Sequence, residues 1–223
     1  MRDLRDIRRD YERARLDETD LAPTWHEQLR RWFDEAMGTP ELVEANAIQV
    51  ATVDDSGQPQ LRTVLCRGLD ERGVVFYTNY SSDKGRQLLA NPRAAVLFSW
   101  LPLERQVRLT GRVEKTTRAE TEDYWNHRPR GSQVASAASP QSSVLRDRAE
   151  LEQLVREMDQ RYAGQDSVPA PQEWGGFRLV PSSVEFWQGR ESRLHDRLRY
   201  RSAGSAGSAG SAHGGWIVER LAP

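Results

Sequence analysis

Apolar residues near the start of the chain recur every three or four positions, and this period predicts two amphipathic helices. The first helix is predicted over residues 2–15. Its apolar stripe consists of Leu4, Ile7, Tyr11 and Ala14. The second helix is predicted to begin after Thr24, which with Glu27 forms the pattern of a capping box, and to end at Gly38. Its apolar face consists of Leu29, Trp32, Phe33 and Ala36.

After Pro40 the pattern changes to short apolar runs separated by turn residues, which is typical of hairpin-linked β-strands. Residues 54–57 and 70–73 have the composition of tight turns. The predicted strands are 47–53, 60–67, 74–78, 94–100, 106–113, 177–187, 194–200 and 216–221.

Three further helices are predicted between these strands. A short helix covers residues 82–90, and a second begins at a capping box opened by Thr117 and ends before Pro129. The longest is predicted to begin at Ser143 and to end at Gly164.

The order of these elements predicts an α+β fold that is mainly β, with antiparallel strands in a barrel-like sheet and helices at its periphery. We expect a single domain over residues 1–223, in which residues 1–22 form a helical arm. The Ser-Ala-Gly repeat within residues 202–215 has no apolar face, so a flexible surface loop is expected there.

Composition and charge narrow the classes of function. The chain carries 32 basic and 33 acidic side chains, and only Lys84 and Lys115 among the basic ones are lysines. A net charge of -1 argues against a general nucleic-acid binder. The single cysteine, Cys66, excludes an intrachain disulfide, and its apolar neighbours predict a buried, unreactive thiol. The four histidines lack metal-ligand spacing, so no metal site is expected.

No apolar run is long enough to span a bilayer, and the N-terminus lacks the apolar segment of a signal peptide. We therefore expect a cytoplasmic protein that does not bind membranes.

Two segments predict phosphate sites. A strand over 75–79 leads into a helix start that carries Lys84, and free N–H groups beside an ammonium suit a phosphate. Arg62 lies mid-strand on the same face as Val64 and Cys66, where it needs either an acidic partner or an anionic ligand. The second segment, residues 124–132, combines tyrosine, arginine and serine at a broken helix end.

A third cluster lies near the C-terminus. Arg193, His195 and Arg197 alternate, so a strand would place them on one face, opposite either an anion or a ladder of acidic side chains. The arginines at 190, 193, 197, 199 and 201 could instead form a nucleic-acid patch, but Glu191 and Asp196 interrupt it and no stacking motif accompanies it.

Several stretches, in the same order along the chain, resemble the pyridoxine/pyridoxamine 5′-phosphate oxidase family. They are Arg62-Thr-Val-Leu, Phe76-Tyr-Thr-Asn79, Leu103-Glu-Arg-Gln-Val107, Arg128-Pro-Arg-Gly-Ser-Gln133, Pro140-Gln-Ser-Ser143, Trp174-Gly-Gly-Phe177, Glu185-Phe-Trp-Gln-Gly189, Arg193-Leu-His-Asp-Arg197 and Glu219-Arg-Leu-Ala-Pro223. The stretch Arg8-Arg-Asp-Tyr11 also resembles a family segment that closes over the active site.

This resemblance implies an FMN-binding split β-barrel and a homodimer with FMN at the subunit interface. The implied cofactor contacts are Arg62, Thr63, Val64, Leu65, Cys66, Arg67, Tyr77, Thr78, Lys84, Gln106, Gln141, Ser142, Trp187 and Arg197. The implied substrate contacts are Arg8, Tyr11, Arg67, Tyr124, Arg128, Ser132, Arg193 and His195. Of these, Arg193 and His195 are the expected catalytic residues.

The implied reaction oxidises pyridoxine or pyridoxamine 5′-phosphate to pyridoxal 5′-phosphate. The C4′ carbon gives a hydride equivalent to the flavin, and O₂ reoxidises the flavin with release of H₂O₂. Two positions depart from the family pattern, since Arg67 stands where lysine is more frequent and Asp83 where many members have arginine. Asp83 is therefore left out of the expected phosphate contacts.

Three alternatives remain open at this point. The chain could be a flavin oxidase of the same superfamily with another substrate, such as a phenazine precursor, or a split-barrel reductase that uses a deazaflavin. It could also be a non-catalytic module that binds FMN or pyridoxal phosphate, which the departures at Arg67 and Asp83 keep open.

Overall fold

Nine antiparallel strands form one curled sheet in the computed structural model, which describes residues 11–204 and 215–223. The strands are β1 (Ala47–Val53), β2 (Pro59–Leu65), β3 (Gly68–Asp70), β4 (Gly73–Asn79), β5 (Arg93–Trp100), β6 (Arg105–Lys115), β7 (Trp174–Gln188), β8 (Asp196–Ser202) and β9 (Trp216–Arg220). The α-helices are α1 (Trp25–Met37), α2 (Asp83–Ala90), α3 (Arg118–Asn126), α4 (Arg130–Ala138) and α5 (Arg148–Arg161). Short 3₁₀ turns include Glu18–Asp20 and Glu191–Arg193. The predicted mainly β, α+β architecture is confirmed.

The long strand β7 organises the sheet. The strand order is β2-β1-β5-β6-β7-β4-β3, and β8 and β9 extend from the second half of β7. The first half of β7 therefore pairs with β4 and its second half with β8, while β6 runs beside both. A register shift at Thr110 and Gly111 in the β6–β7 pair bends the sheet where the partner strands change.

Alternation along the strands separates a core face from an outer face. In β1, Ile48 and Val50 are fully buried while their neighbours are only partly buried. The core side chains of the other strands include Phe76, Phe98, Val107, Leu109, Phe177, Phe186 and Tyr200. Helix α1 covers this core, and its Trp32 ring meets Phe186 edge-on at 5.3 Å. The Thr24 cap and the Gly38 end of α1 are as predicted.

A buried arginine ties α3 to the sheet. Arg178 on β7 is 5% exposed and donates to Asp70 Oδ1 at 2.7 Å and Glu120 Oε1 at 3.0 Å. Glu120 belongs to the predicted capping box with Thr117, which is present. These backbone and side-chain hydrogen bonds from Thr117, together with the charge of Arg178, lower the pKa of Glu120 to about 2. The ion pairs therefore fix where α3 lies against the sheet.

The helices after α3 differ from the prediction. Helix α3 ends at Asn126, before Pro129 as predicted, but Pro129 is also the N-cap position of α4, a helix that the sequence patterns missed. Helix α5 begins at Arg148 rather than at Ser143, because the Asp147 side chain accepts the N–H of Glu150 at 2.9 Å. Its apolar stripe is only partly buried, since none of its residues reaches the core.

The N-terminal segment also differs. The described part of the helix predicted over 2–15, residues 11–15, is not helical, and residues 1–10 lie outside the described residues. Most of the predicted Ser-Ala-Gly loop likewise lies outside them. Within residues 11–204 and 215–223, no helix combines the length and apolar character needed to cross a membrane.

Candidate active site

A cavity of about 440 Å³ opens between β2, β4, the start of α2 and the end of α3. Every residue that lines it belongs to the cofactor or substrate contacts expected from the sequence. The lining residues are Arg62, Thr63, Val64, Leu65, Arg67, Tyr77, Thr78, Lys84, Tyr124, Arg128 and Gln141. The fold thus gathers residues that are spread along the chain from position 62 to position 141.

Arg62 projects from β2 and is held by neutral oxygens only. Its guanidinium donates to Thr52 Oγ1 at 2.6 Å, to the carbonyl of Val50 at 3.0 Å and to Gln87 Oε1 at 3.2 Å. Burial lowers the pKa of Arg62, and the charge of Asp83 opposes this only in part. No carboxylate among the described residues forms an ion pair with Arg62, so the acidic-partner alternative is not supported.

Lys84 lies in the first turn of α2, whose cap Ser82 accepts the N–H of Gly85. Its Nζ donates to Gln141 Oε1 at 2.9 Å and to Thr78 Oγ1 at 3.2 Å, which are again neutral oxygens. Burial lowers the pKa of Lys84, and the nearby charge of Arg62 lowers it further.

Asp83, the neighbour of Lys84, does not line the cavity. Its carboxylate forms an exposed ion pair with Arg86 at 2.5 Å. The departure from the family pattern at this position therefore places no carboxylate in the cavity wall.

Aromatic rings form one wall of the cavity. The rings of Tyr77, Tyr124 and Trp174 are nearly parallel to one another, and the Tyr77 centroid lies 4.1 Å from that of Tyr124 and 5.4 Å from that of Trp174. The guanidinium carbon of Arg67 lies 5.9 Å from the centre of the Tyr124 ring. Burial raises the pKa of Tyr77 to about 12, so this hydroxyl stays protonated.

Arg128 joins this cavity to a second groove of about 740 Å³ beside α4 and α5. Its guanidinium lies over the Trp174 ring at 5.0 Å and donates to Ser136 Oγ at 2.7 Å, while its Nε is buried without a partner. Burial lowers the pKa of Arg128. Ser132, an expected substrate contact, lines the groove rather than the cavity. Asn79 and Trp174 also line the groove, although neither was expected from the sequence to contact a ligand.

Cys66 and Ser142, two of the expected cofactor contacts, are next in sequence to residues that line the cavity but do not line it themselves. Cys66 is 7% exposed and its thiol points to the carbonyl of Gly68, so it belongs to the core. Burial raises the pKa of this thiol to about 11, in agreement with the predicted unreactive cysteine. Ser142 is exposed beside Gln141, with a positive φ of 72°.

A second group of expected site residues gathers at the far end of β7. Trp187 contacts His195, with ring centroids 4.6 Å apart, and the Tyr11 ring meets both edge-on. Gly189 makes this possible, because a Cβ there would lie 2.8 Å from Tyr11 Cγ. Gln106 is the cross-strand partner of Trp187. Arg8, the other N-terminal contact, lies outside the described residues.

The prediction that Arg193, His195 and Arg197 share one strand face is wrong. Strand β8 begins only at Asp196, and Arg193 lies in a 3₁₀ turn with a positive φ of 62°. Arg197 is in the strand, and its Nε donates to the buried carboxylate of Glu185 at 2.8 Å. The predicted acidic partner therefore exists for Arg197 alone, and Glu185 was not assigned a role from the sequence.

The neighbours of His195 favour its neutral form and select one tautomer. Its Nδ1 accepts the backbone N–H of Arg190 at 3.1 Å, so the neutral ring carries its proton on Nε2. Burial and the nearby charge of Arg193 lower the pKa of His195 from 6.5. A neutral imidazole with a free Nε2–H is therefore the form present at neutral pH.

Three other arginines of this region form ion pairs with nearby carboxylates. Arg190 pairs with Asp196 at 3.0 Å, and Arg199 and Arg201 both pair with Glu219. These ion pairs reduce the positive charge that would be available to bind nucleic-acid phosphates.

The cavity and the Trp187 group lie apart within one chain. Cross-strand pairing links β2 to β7 through β1, β5 and β6. The partners along one such row are Val64, Ile48, Phe98, Val107 and Phe186. The path along this row of the curled sheet is about 19 Å long, and none of the hydrogen bonds, ion pairs or ring contacts of the described residues connects the two groups.

The chain is similar to known proteins along most of its length. Residues 39–162 match the family described as pyridoxamine 5′-phosphate oxidase. Residues 174–223, which include β7 to β9, match a pyridoxine 5′-phosphate oxidase C-terminal dimerisation region.

Two curated relatives are similar over their whole length. A protein of Ralstonia pickettii named pyridoxine/pyridoxamine 5′-phosphate oxidase is 52% identical over 223 residues, which is 100% of both chains. A protein of the same name from Saccharopolyspora erythraea is 51% identical and covers 99% of this chain and 95% of its own.

Solved structures share the fold. PhzG from Burkholderia lata 383, in complex with tetrahydrophenazine-1-carboxylic acid, superposes with a TM-score of 0.82 at 29% identity, covering 92% of this chain and 95% of its own. A pyridoxamine 5′-phosphate oxidase-related, FMN-binding protein from Nostoc punctiforme has a TM-score of 0.68 at 20% identity and covers 92% of this chain and 99% of its own. With family matches over most of its length and relatives half identical from end to end, the chain belongs to the pyridoxine/pyridoxamine 5′-phosphate oxidase family and is an oxidoreductase.

Proposed function

We propose that the chain oxidises pyridoxine 5′-phosphate or pyridoxamine 5′-phosphate to pyridoxal 5′-phosphate. FMN is the cofactor and O₂ the electron acceptor, and the products include H₂O₂ and, from the amine, ammonia. The observation that carries this proposal is the charge of the cavity. Its four cations have no carboxylate ion-pair partner among the described residues; they are Arg62, Arg67, Lys84 and Arg128. Such a surplus favours bound anions, and this reaction brings two phosphates, one on each ligand.

The residues around Lys84 fit the phosphate of FMN. Arg62 and Lys84 are oriented by Thr52, Thr78 and Gln141, whose neutral oxygens leave both cationic charges uncompensated. When bound, FMN would accept the hydride equivalent from the substrate and pass the electrons to O₂. The chain itself supplies binding, orientation and charge.

The residues around Arg128 fit the phosphate of the substrate. Its Nε is buried without a partner, and an unpaired buried donor is costly unless a ligand accepts from it. Three further polar residues lie near the Arg128 guanidinium. Arg67 and Tyr124 are on the cavity side, and Ser132 is on the groove side.

His195 and Arg193 orient the reacting end of the substrate. Because Nδ1 of His195 already accepts a backbone N–H, the ring offers Nε2–H as a donor rather than a free lone pair. We assign His195 to donating a hydrogen bond to the substituent on C4′, with Arg193 beside it as a cation. Tyr11, which packs on both Trp187 and His195, closes this end from solvent.

A homodimer completes the site. Within one chain the cavity and the Trp187 group lie on different parts of the curled sheet, and no described hydrogen bond, ion pair or ring contact connects them. A second copy that places its Gln106, Trp187 and Arg197 over the first copy's cavity would bring both groups to one ligand. The dimerisation match over residues 174–223 covers two of these three residues and supports this arrangement.

The likeness to PhzG favours one rival, the oxidation of a phenazine precursor. A tricyclic carboxylate carries a single negative charge, whereas a phosphate monoester carries nearly two, so the four unpaired cations favour the phosphorylated pyridine. The relatives that are half identical also carry the pyridoxine/pyridoxamine name.

Two alanine variants test the proposal. Arg193→Ala should lower kcat with pyridoxine 5′-phosphate far more than it lowers FMN affinity, and Lys84→Ala should do the reverse. Loss of one charge-assisted contact, about 1.5–3 kcal/mol, corresponds to a loss of roughly 10- to 100-fold in the affected quantity. FMN affinity is measured by quenching of flavin fluorescence, and product by an aldehyde assay under air.

Lys115→Ala is the matched control, because Lys115 is exposed and does not line the cavity. Normal kcat in Arg193→Ala at saturating substrate would contradict the assignment of Arg193. FMN binding without turnover of either phosphorylated vitamer would contradict the proposed function, and turnover of a phenazine precursor would favour the rival.

A further inference from the structure

The two lysines of this chain lie in very different places. Lys84 lines the charged cavity, whereas Lys115 is exposed with its Nζ 4.1 Å from the centre of the Tyr80 ring. Arginine is always protonated and does not form imines under ordinary conditions. Lys84 is therefore the one side-chain amine that the described residues place in the cavity.

The surroundings of Lys84 favour an amine that reacts with carbonyl compounds. Both of its hydrogen-bond partners, Thr78 Oγ1 and Gln141 Oε1, are neutral, and no described carboxylate pairs with its Nζ. Its pKa is lowered by burial and by the charge of Arg62. Desolvation next to another cation is an established way of activating a lysine nucleophile.

The same cavity attracts a phosphorylated aldehyde. Arg62, Arg67 and Arg128 present cations around Lys84 and can hold a phosphate while the carbonyl group stays within the cavity. Holding two reactants in one site raises their effective concentration by orders of magnitude. The aldehyde that has both features is the product of the proposed reaction.

We propose that, in the flavin-free enzyme, Lys84 forms an imine with the phosphorylated aldehyde product. Nζ attacks the carbonyl carbon, a C–N bond forms, and the carbonyl oxygen leaves as water, so no oxidant or reductant is needed. The proposal rests on the proposed function, which supplies the aldehyde. Product and FMN then compete for one cavity, and a chain that carries the imine cannot load its cofactor.

Chemical trapping tests this proposal on the full-length chain, both with FMN and after its removal. Each form is incubated with pyridoxal 5′-phosphate, reduced with borohydride, digested and mapped by mass spectrometry. In the flavin-free chain we expect labelling at Lys84 to be at least about tenfold faster than at Lys115. Saturating FMN should reduce the labelling of Lys84 by a similar factor, and that of Lys115 not at all.

Lys84→Arg keeps the charge and should lose the label, whereas Lys115→Arg should keep it at position 84. Site mapping in the unmodified chain remains decisive if Lys84→Arg does not fold. Equal labelling of both lysines, no label at Lys84, or labelling of Lys84 that FMN does not reduce would overturn the proposal. Turnover is measured separately on the FMN-loaded enzyme, so normal turnover without labelling rejects only the imine. Labelling without turnover rejects the proposed reaction instead.

Discussion

Glu185 could act in two ways, by orienting Arg197 toward the flavin and by stabilising the fold. Replacing Glu185 should distinguish these two roles. Its side chain is 8% exposed on β7 and accepts from Arg197 Nε at 2.8 Å and from Arg108 at 2.5 Å. Both arginines keep the pKa of Glu185 below its ordinary value in spite of burial. Glu185→Gln keeps the volume but removes the charge, and its amide turns an N–H toward one of the two guanidinium groups.

The size of the effect follows from these contacts. Removing one partner of a buried ion pair costs about 3–5 kcal/mol, and the partial exposure of Arg108 and Arg197 reduces this to about 2–3 kcal/mol. For a chain of this size, such a loss lowers Tm by roughly 5–10 °C. Arg197 also loses its fixed orientation, so a contact with the flavin worth about 1.4 kcal/mol, or tenfold in Kd, should be lost.

The assay combines thermal unfolding of the flavin-free chain with FMN titration followed by fluorescence. Glu219→Gln is the matched control, because Glu219 also bridges two arginines on the same sheet face but does not contact Arg197. We expect both variants to lose stability and only Glu185→Gln to lose FMN affinity. An unchanged Kd in Glu185→Gln, or an equal loss in both variants, would refute the reasoning and make Glu185 a structural residue.

Three further outcomes are expected. Gly189→Ala places a Cβ 2.8 Å from Tyr11 and should displace this ring. KM for the phosphorylated substrate should therefore rise while FMN affinity stays constant. An unchanged KM would contradict the closing role of Tyr11. The NMR titration of His195 should have its midpoint below 6.5, and Arg193→Gln should move it upward, because a repelling charge is removed. The fold favours the neutral ring, so the stability contributed by His195 is complete above pH 6.5 and is lost as the pH falls through the lowered pKa. In His195→Gln the free energy of unfolding should therefore depend less on pH below 6.5 than in the unmodified chain. Arg178→Met removes a buried guanidinium from its two carboxylate partners and should cost about 2–3 kcal/mol in urea unfolding, and a loss below that of an exposed arginine variant would contradict its anchoring role.

Local signals predicted every strand except the three-residue β3, and most helix starts, because these elements depend on neighbouring residues. The predicted helix caps at Thr24 and Thr117 are confirmed, since each cap involves a side chain and an N–H only three residues apart. The predicted start of α5 is wrong because Ser143 and Asp147 are both good cap residues, and in the structure the Asp147 side chain is the one that accepts a helix N–H. Strand β8 began late because positive φ angles at 192 and 193 interrupt the extended backbone.

The residues of the site could be predicted only in part, because some side-chain contacts depend on the tertiary structure. Motif resemblance named every residue that lines the cavity, but it included Cys66, whose side chain turns into the core. It did not assign a role to Glu185, although this residue lies inside one of the matching stretches, because its role depends on Arg197 in the neighbouring strand.

The amino-acid order is enough to establish the mainly β architecture, the family and the set of cations available for phosphates, because alternation and motifs are properties of the chain itself. Which cations are free is a property of the folded molecule. Arg62 and Lys84 contact only neutral oxygens, whereas Arg197 contacts a buried carboxylate, although the sequence presents all three as similar candidates. Strand register decides this, since it brings together charges that are far apart in the chain and leaves others unpaired.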